Sequence, residues 1–416
     1  MDEDSALNLK TAPSSLRVVV LADESADWRV AGLRQLDRIA LVLRDLMQHE
    51  RQPVTVAVFW RPDVAPENRW LPDHSRLAGM PITEFVAAPA APVDLVLSTR
   101  LFLYRDGVAQ LLATEETVPA TDLASTSSWE TYRKLFENAF SRATKIEESH
   151  PWRYLRTADD IPSTERLFLR TSGKSQDGLV SRFINRPLSR AVSRLIVKTP
   201  ITPNAWSVLV FLLPLYGSSL LLRGTNRAFL IACAIYQLYS ILDGCDGEIA
   251  RAKFLQTEFG RRLDSLLDLV GNLLLALCLG IGLARQWERN HASGWFYIAE
   301  GITAAFFIVL SEGIVFSRRS RGVIVAPVTR WNGALYQRHH EFLERSGVLV
   351  FGEKFAWWLV QLTKRDMAML FFLFLAAIGF AEGILHLLLL VSAISATLAG
   401  NAFFRQPAPA VPQEAS

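Results

Sequence analysis

Residues 206–222, 228–242 and 269–284 of this chain contain no charged side chain. Runs of this length suit hydrocarbon. A continuous run buried in lipid satisfies its own peptide groups as an α-helix. A fourth run near 295–316 carries Glu300 and Glu312. Residues 367–404 suffice for two passes with a break near Glu382–Gly383. Several runs are shorter than the ~20 residues a span needs, so the helices must extend into their charged flanks. The pattern predicts six transmembrane helices in residues 201–404. Half of the 416 residues are apolar and the mean hydropathy is +0.20, with the excess confined to this second half.

The first half reads as soluble. Residues 17–23, 54–60 and 93–99 are short β-branched runs, accompanied by helix-like stretches at 30–48 and 107–117. Continuous apolar strands alternating with helices predict an α/β domain with a parallel sheet covered on both faces. The expected organisation is a cytosolic α/β domain at 1–165 and a linker with an amphipathic juxtamembrane helix at 166–200. The membrane domain at 201–404 and a disordered tail at 405–416 follow. The start M-D-E-D-S is acidic and lacks an apolar segment, which argues against a signal peptide. A formal charge of +3 gives no case for nucleic acid as a partner. Cys233, Cys245 and Cys278 have neither disulfide nor zinc spacing, so packing is their expected role.

In 177–200, Leu179, Phe183, Ile184, Leu188, Val192 and Leu195 recur at helical spacing against Arg182, Arg186, Arg190 and Arg194. Such a helix suits the membrane interface, with its arginines toward lipid phosphates; a solvated surface helix is the plainer alternative. The loop 317–366 holds Arg318, Arg319, Arg321, Arg330, Arg338, Arg345, Lys354, Lys364 and Arg365. This basic excess marks the cytoplasmic side of an inner membrane. Trp357 and Trp358 suit an interfacial aromatic belt.

At the junction of the second and third predicted spans the chain reads D-G-C-D-G-E-I-A-R, then eight residues, then G-R-R-L-D-S-L-L-D. Asp243, Asp246, Gly247 and Ala250 share one helix face, and Asp264 and Asp268 share another at i and i+4. Gly260 lies in the stretch that turns the chain back. Four carboxylates would converge beside hydrocarbon, where acids are costly and retained for function. So many anions repel unless a cation joins them. Hard oxygen donors without histidine or cysteine select Mg²⁺ or Mn²⁺, and this many acids can hold two ions. Gly247 leaves room for a ligand, and Arg251 can hold a phosphate. The plainer reading, capping acids and surface salt bridges, does not account for eight fixed positions.

The pattern D-x-x-D-G-x-x-A-R-x8-G-x3-D-x3-D resembles the signature of the CDP-alcohol phosphotransferases, and the likeness extends over residues 177–404. The segment T-P-I-T-P-N, with Pro203 and Asn204, is similar as well. The resemblance implies six transmembrane helices, often in a homodimer, with the active site open to the cytosol. It implies transfer of a substituted phosphate from a CDP-linked alcohol to an acceptor hydroxyl, with release of CMP. Asp243, Asp246 and Asp264 would then bind metal. Asp268 would stand nearest the acceptor as metal ligand or catalytic base. Gly247, Ala250, Arg251 and Gly260 would line the CDP site.

The domain order and the linker also resemble a branch in which a sugar-phosphate cytidylyltransferase precedes a di-myo-inositol-phosphate-phosphate synthase. The donor is therefore expected to be CDP-diacylglycerol or a CDP-polyol such as CDP-inositol, and the acceptor a hydroxyl compound, including polyol phosphates. The first domain itself lacks nucleotidyltransferase chemistry. Its first strand is followed by E-S-A-D-W-R-V-A-G-L, with only Gly32 late in the loop, and Arg100 stands where a metal-binding acid is wanted. Asp23, Arg29 and Lys10 are poor substitutes, so a degenerate domain is expected. Glu300 and Glu382 are placed near the outer interface and Glu312 nearer the cleft. His386 is read as a helix-packing or interface residue rather than a ligand. Lys253, Arg261, Arg262 and Arg365 are candidates for an acceptor phosphate or solvated helix ends. A retired membrane anchor would not need costly acids, and a transporter would not need this glycine and arginine spacing.

Overall fold

The computed structural model describes residues 15–50, 53–85, 93–105, 107–113, 128–140, 152–171, 178–289, 293–320 and 364–404. The chain forms two compact units. One is Met1–Ser172 with Val197–Thr199 and Arg251–Phe254; the other is Gly173–Ile196, Pro200–Ala250 and Leu255–Ser416. Lys10, residues 321–363 with most of the basic loop and Trp357 and Trp358, and the tail 405–416 lie outside the described residues, as do the side chains of Arg318 and Arg319.

The first unit is built on four parallel strands, β1 (Leu16–Ala22), β2 (Val54–Trp60), β3 (Ile82–Phe85) and β4 (Leu95–Ser98), in the order β3-β2-β1-β4. Val18, in central β1, pairs with Val56 on one side and Leu95 on the other. Both faces of β1 are covered, which is why its run of valines and leucines does not alternate with polar residues. Helix α1 (Gln35–Glu50) packs Ile39, Leu41 and Leu43 into this core. The expected helix at 30–48 therefore starts later. Residues 29–34 instead form a tight antiparallel hairpin whose tip, Ala31 and Gly32, has φ of 48° and 82°. Strand β5 (Leu101–Leu103) precedes α2 (Gly107–Ala113) and pairs antiparallel with β6 (Trp152–Tyr154), which follows α3 (Trp129–Phe140) and precedes α4 (Ile161–Thr171). Trp129 Nε1 donates to the Phe59 carbonyl at 3.1 Å, tying α3 to the sheet. Arg38 is enclosed in this unit beneath the Phe102 ring, 4.5 Å from its centroid, and burial pulls its guanidinium down to about 9. Its Nη2 is held by the Val30 carbonyl at 2.8 Å.

The second unit is helical. Helix α5 (Arg186–Ile196) follows a wide turn at Ser181–Asn185. Helices α6 (Pro203–Val210) and α7 (Leu212–Leu221) form one span with a break at Phe211, where Pro214 lacks the amide that would bond the Val210 carbonyl. Then come α8 (Asn226–Ala252), α9 (Glu258–Glu288), α10 (Trp295–Ser320), α11 (Arg365–Ala377) and α12 (Ala381–Phe404). Among the described residues five helices are long and apolar enough to cross a membrane: Pro203–Leu221, Asn226–Ala252, Glu258–Glu288, Trp295–Ile314 and Ala381–Asn401. The chain is thus an integral membrane protein with an α/β unit. Helix α11, at 13 residues, falls short of that length. The break in the last apolar run lies at residues 378–380, not at Glu382–Gly383, because Gly379 adopts φ of 80° and ends α11; Glu382 belongs to the first turn of α12.

Small residues let the spans meet. A Cβ on Gly280 would lie 2.6 Å from the Tyr297 carbonyl oxygen, and one on Gly301 would lie 2.8 Å from that of Ala276. Backbones at such range explain the close α9–α10 pair, since lipid supplies no hydrophobic drive between helices.

Candidate active site

Local sequence fixes the start of each helix that bears on the acids. Thr202 caps α6 by accepting from Ala205 N at 3.3 Å, and Pro203 occupies the first turn, where its missing amide is harmless. Thr257 caps α9, accepting from Gly260 N at 3.0 Å. Glu258 in the first turn is bound by Arg261 at 2.5 Å and Arg262 at 3.0 Å. Both arginines are exposed at the helix start. A Cβ on Gly260 would lie 2.7 Å from Asn204 Oδ1, so the glycine admits the Asn204 side chain.

One ligand oxygen from each of Asp243, Asp246 and Asp264 lies within 4.8 Å of the others, all half-buried. Two helices therefore bring three of the four signature acids together. Asp268 is outside this triplet. Tyr239 OH donates to its Oδ1 at 3.0 Å, and Arg365 pairs with both Asp268 and Asp243. The guanidinium of Arg365 also lies 5.5 Å from the Tyr239 ring centroid. Ser207 Oγ donates to Asp246 Oδ2 at 2.6 Å, and Trp206 Nε1 donates to the Leu242 carbonyl at 3.0 Å. Gly247 and Ala250 share the acid-bearing face of α8, with Arg251 beyond them near its end.

The donor set suits a hard divalent cation. Three carboxylates without histidine or thiolate at this separation repel one another unless a cation lies between them. The residues present therefore fit Mg²⁺ or Mn²⁺.

Sequence reasoning missed Ser207 and Tyr239. Tyr239 was legible, since it precedes Asp243 by four residues and must share its face. Ser207 was not, because only the packing of α6 on α8 brings it to Asp246. His386 is exposed and paired, Nδ1 to Glu300 Oε1 at 2.6 Å, beside the Tyr297 ring. Glu312 is exposed.

In the first unit, the end of the central strands is where open parallel sheets bind nucleotides. There Arg100 Nε binds Asp23 Oδ2 at 2.8 Å and Nη2 binds Glu24 Oε1 at 2.5 Å, while Ser25 and Thr99 hydroxyls meet at 2.6 Å. The polar groups at this edge satisfy one another.

Residues 200–395 match the sequence model of the CDP-alcohol phosphatidyltransferase family. Three curated proteins, each named a bifunctional IPC transferase and DIPP synthase, are similar to this chain. The one from Thermococcus kodakarensis is 40% identical over 118 residues, 28% of this chain and 26% of its own. The Rubrobacter xylanophilus protein is 38% identical over 156 residues, 38% and 35% of the respective chains. The Aquifex aeolicus protein is 34% identical over 138 residues, 33% and 31%. The chain thus spans about a quarter to a third of the length of these relatives.

Proposed function

We propose that the membrane half transfers a substituted phosphate group from a CDP-linked alcohol to an acceptor hydroxyl and releases CMP. The observation that carries this reading is the convergence of Asp243, Asp246 and Asp264 from two adjacent helices, with Asp268 linked to Asp243 through Arg365 and bonded by Tyr239. The three grouped acids would hold Mg²⁺ or Mn²⁺, two ions in the full site, and such cations would supply charge neutralisation at the donor pyrophosphate and the leaving CMP. Gly247, Ala250, Arg251 and Gly260 line the CDP site, where Arg251 supplies a fork for phosphate oxygens.

Asp268 takes the proton of the acceptor hydroxyl. The acceptor oxygen forms a bond to the donor phosphorus, the bond from that phosphorus to the CMP oxygen breaks, and its electron pair leaves with CMP. Tyr239 orients Asp268 by its hydrogen bond. Arg365 stands beside the same acid, where it can receive an anionic group on the acceptor.

The same reading makes α11 the sixth crossing, places the acids and the α/β unit on the cytoplasmic side, and pairs two chains in a homodimer. The relatives' names and the fused α/β unit favour a polyol donor such as CDP-inositol with a polyol phosphate acceptor over CDP-diacylglycerol. The self-paired edge around Arg100 supports a first unit without nucleotidyl transfer of its own.

The test is CMP release by the purified full chain in nanodiscs with Mn²⁺, offered CDP-inositol or CDP-diacylglycerol with inositol phosphate or glycerol phosphate. CMP from the polyol donor is expected. CMP from neither donor with either acceptor would overturn the proposal.

A further inference from the structure

Helix α5 and the turn before it were expected to present their arginines to lipid phosphates. The structure buries one of them, Arg186, while Arg182 and Arg194 stay exposed and Arg190 is half-buried. Asn185, Arg186, Ser189 and Ser193 are buried, while Phe183, Ile184, Leu188 and Leu195 are exposed. The polar side of this segment is committed to one stripe of α8. Arg186 Nη1 lies 3.1 Å from Glu248 Oε1, and Ser189 Oγ donates to the same oxygen at 3.0 Å. Gln237 donates to Asn185 at 3.0 Å, Asn185 donates to Ser240 at 3.3 Å, and Cys245 Sγ donates to the Ser189 carbonyl at 3.4 Å. A Cβ on Gly244 would lie 3.1 Å from Arg186 Nη1, so the glycine makes room for the guanidinium.

Glu248 is fully buried, and its Oε2 makes no hydrogen bond among the described residues. A buried carboxylate is costly unless paired, and here the pairing cation comes from another helix. Gln237, Gly244 and Glu248 recur at i, i+7 and i+11, so they form one stripe. Asp243 and Asp246 point away from it, Asp243 by about 100° of helix rotation. A roll of α8 by about 20° would carry a carboxylate at its surface by roughly 2 Å. Metal–oxygen distances tolerate about a tenth of that.

We propose that Arg186 and Glu248 are a positioning pair that fixes the roll of α8 and thereby aims Asp243 and Asp246 at the cation. Neither residue touches substrate. The inference rests on the proposed metal-dependent reading, and its readout is binding of the metal alone.

The experiment titrates Mn²⁺ by electron paramagnetic resonance into the full chain in nanodiscs, beside thermal unfolding. Glu248→Gln and Arg186→Met are each expected to weaken Mn²⁺ binding about tenfold or more. The exchange Arg186→Glu with Glu248→Arg is expected to recover most of that loss. Ser189→Ala keeps both charges and removes one hydrogen bond, so it should stay folded and weaken Mn²⁺ by a few fold. Wild-type Mn²⁺ affinity in Ser189→Ala together with either wild-type affinity in folded single variants or no recovery in the exchange would overturn the proposal. If the wild-type chain binds Mn²⁺ and the variants shift it, yet no donor yields CMP, the pair stands and the transferase reading fails.

Discussion

Ser207 Oγ donates to Asp246 Oδ2 across 2.6 Å, so a hydroxyl on the first span holds a carboxylate of the triplet. Groups that orient a metal ligand commonly change affinity by about 10–100-fold when removed. Ser207→Ala is expected to weaken Mn²⁺ binding about tenfold with unchanged thermal unfolding. A Mn²⁺ titration of CMP release reads the shift as a raised half-saturation.

Asp264→Asn removes one of the three grouped oxygens. The expected result is loss of CMP release by on the order of a hundredfold or more, beyond what an orienting residue supplies, in a protein that still folds. EDTA should abolish the activity of the parent chain. Mg²⁺ or Mn²⁺ should restore it and Ca²⁺ should not, because the larger ion demands more ligands.

Tyr239→Phe keeps the ring beside Arg365 and deletes the hydrogen bond to Asp268. A hydrogen bond to a charged group contributes about 1.5–3 kcal/mol. The expected loss in kcat is about tenfold, with KM for the donor little changed. Steady-state kinetics at saturating metal checks it.

Gly301→Leu drives a side chain against the Ala276 carbonyl, since even a Cβ there would be 2.8 Å away. Overpacking costs about 1–3 kcal/mol. Thermal unfolding in detergent should move down clearly, and Gly301→Ala should lie between the two.

Arg100→Ala would leave Asp23 with only 2% exposure and without its guanidinium partner. Breaking such a pair costs about 3–5 kcal/mol. Limited proteolysis should cut the first unit sooner, and CTP should give no protection to the parent chain or the variant.

How far the sequence reached depended on the range of the interaction. The strand pattern of residues 54–60 gave β2 to the residue, since a run buried on both faces needs no partner to be recognised. The acids of α8 and α9 were legible because i, i+3 and i+4 spacing is a property of one helix. The start of α1 was misplaced because Ala31 and Gly32 turn in a conformation that apolar periodicity does not report. The roles of Ser207 and Glu248 were hidden for a different reason. Each depends on which neighbouring helix lies against α8, and no local pattern encodes that.

The apolar residues Leu188 and Leu195 face outward on the helix that braces α8, as does Phe183 in the turn before it. On the proposed positioning role, lipid that shifts this helix would shift α8 with it. Turnover would then vary with acyl-chain length, making bilayer thickness itself a control on catalysis.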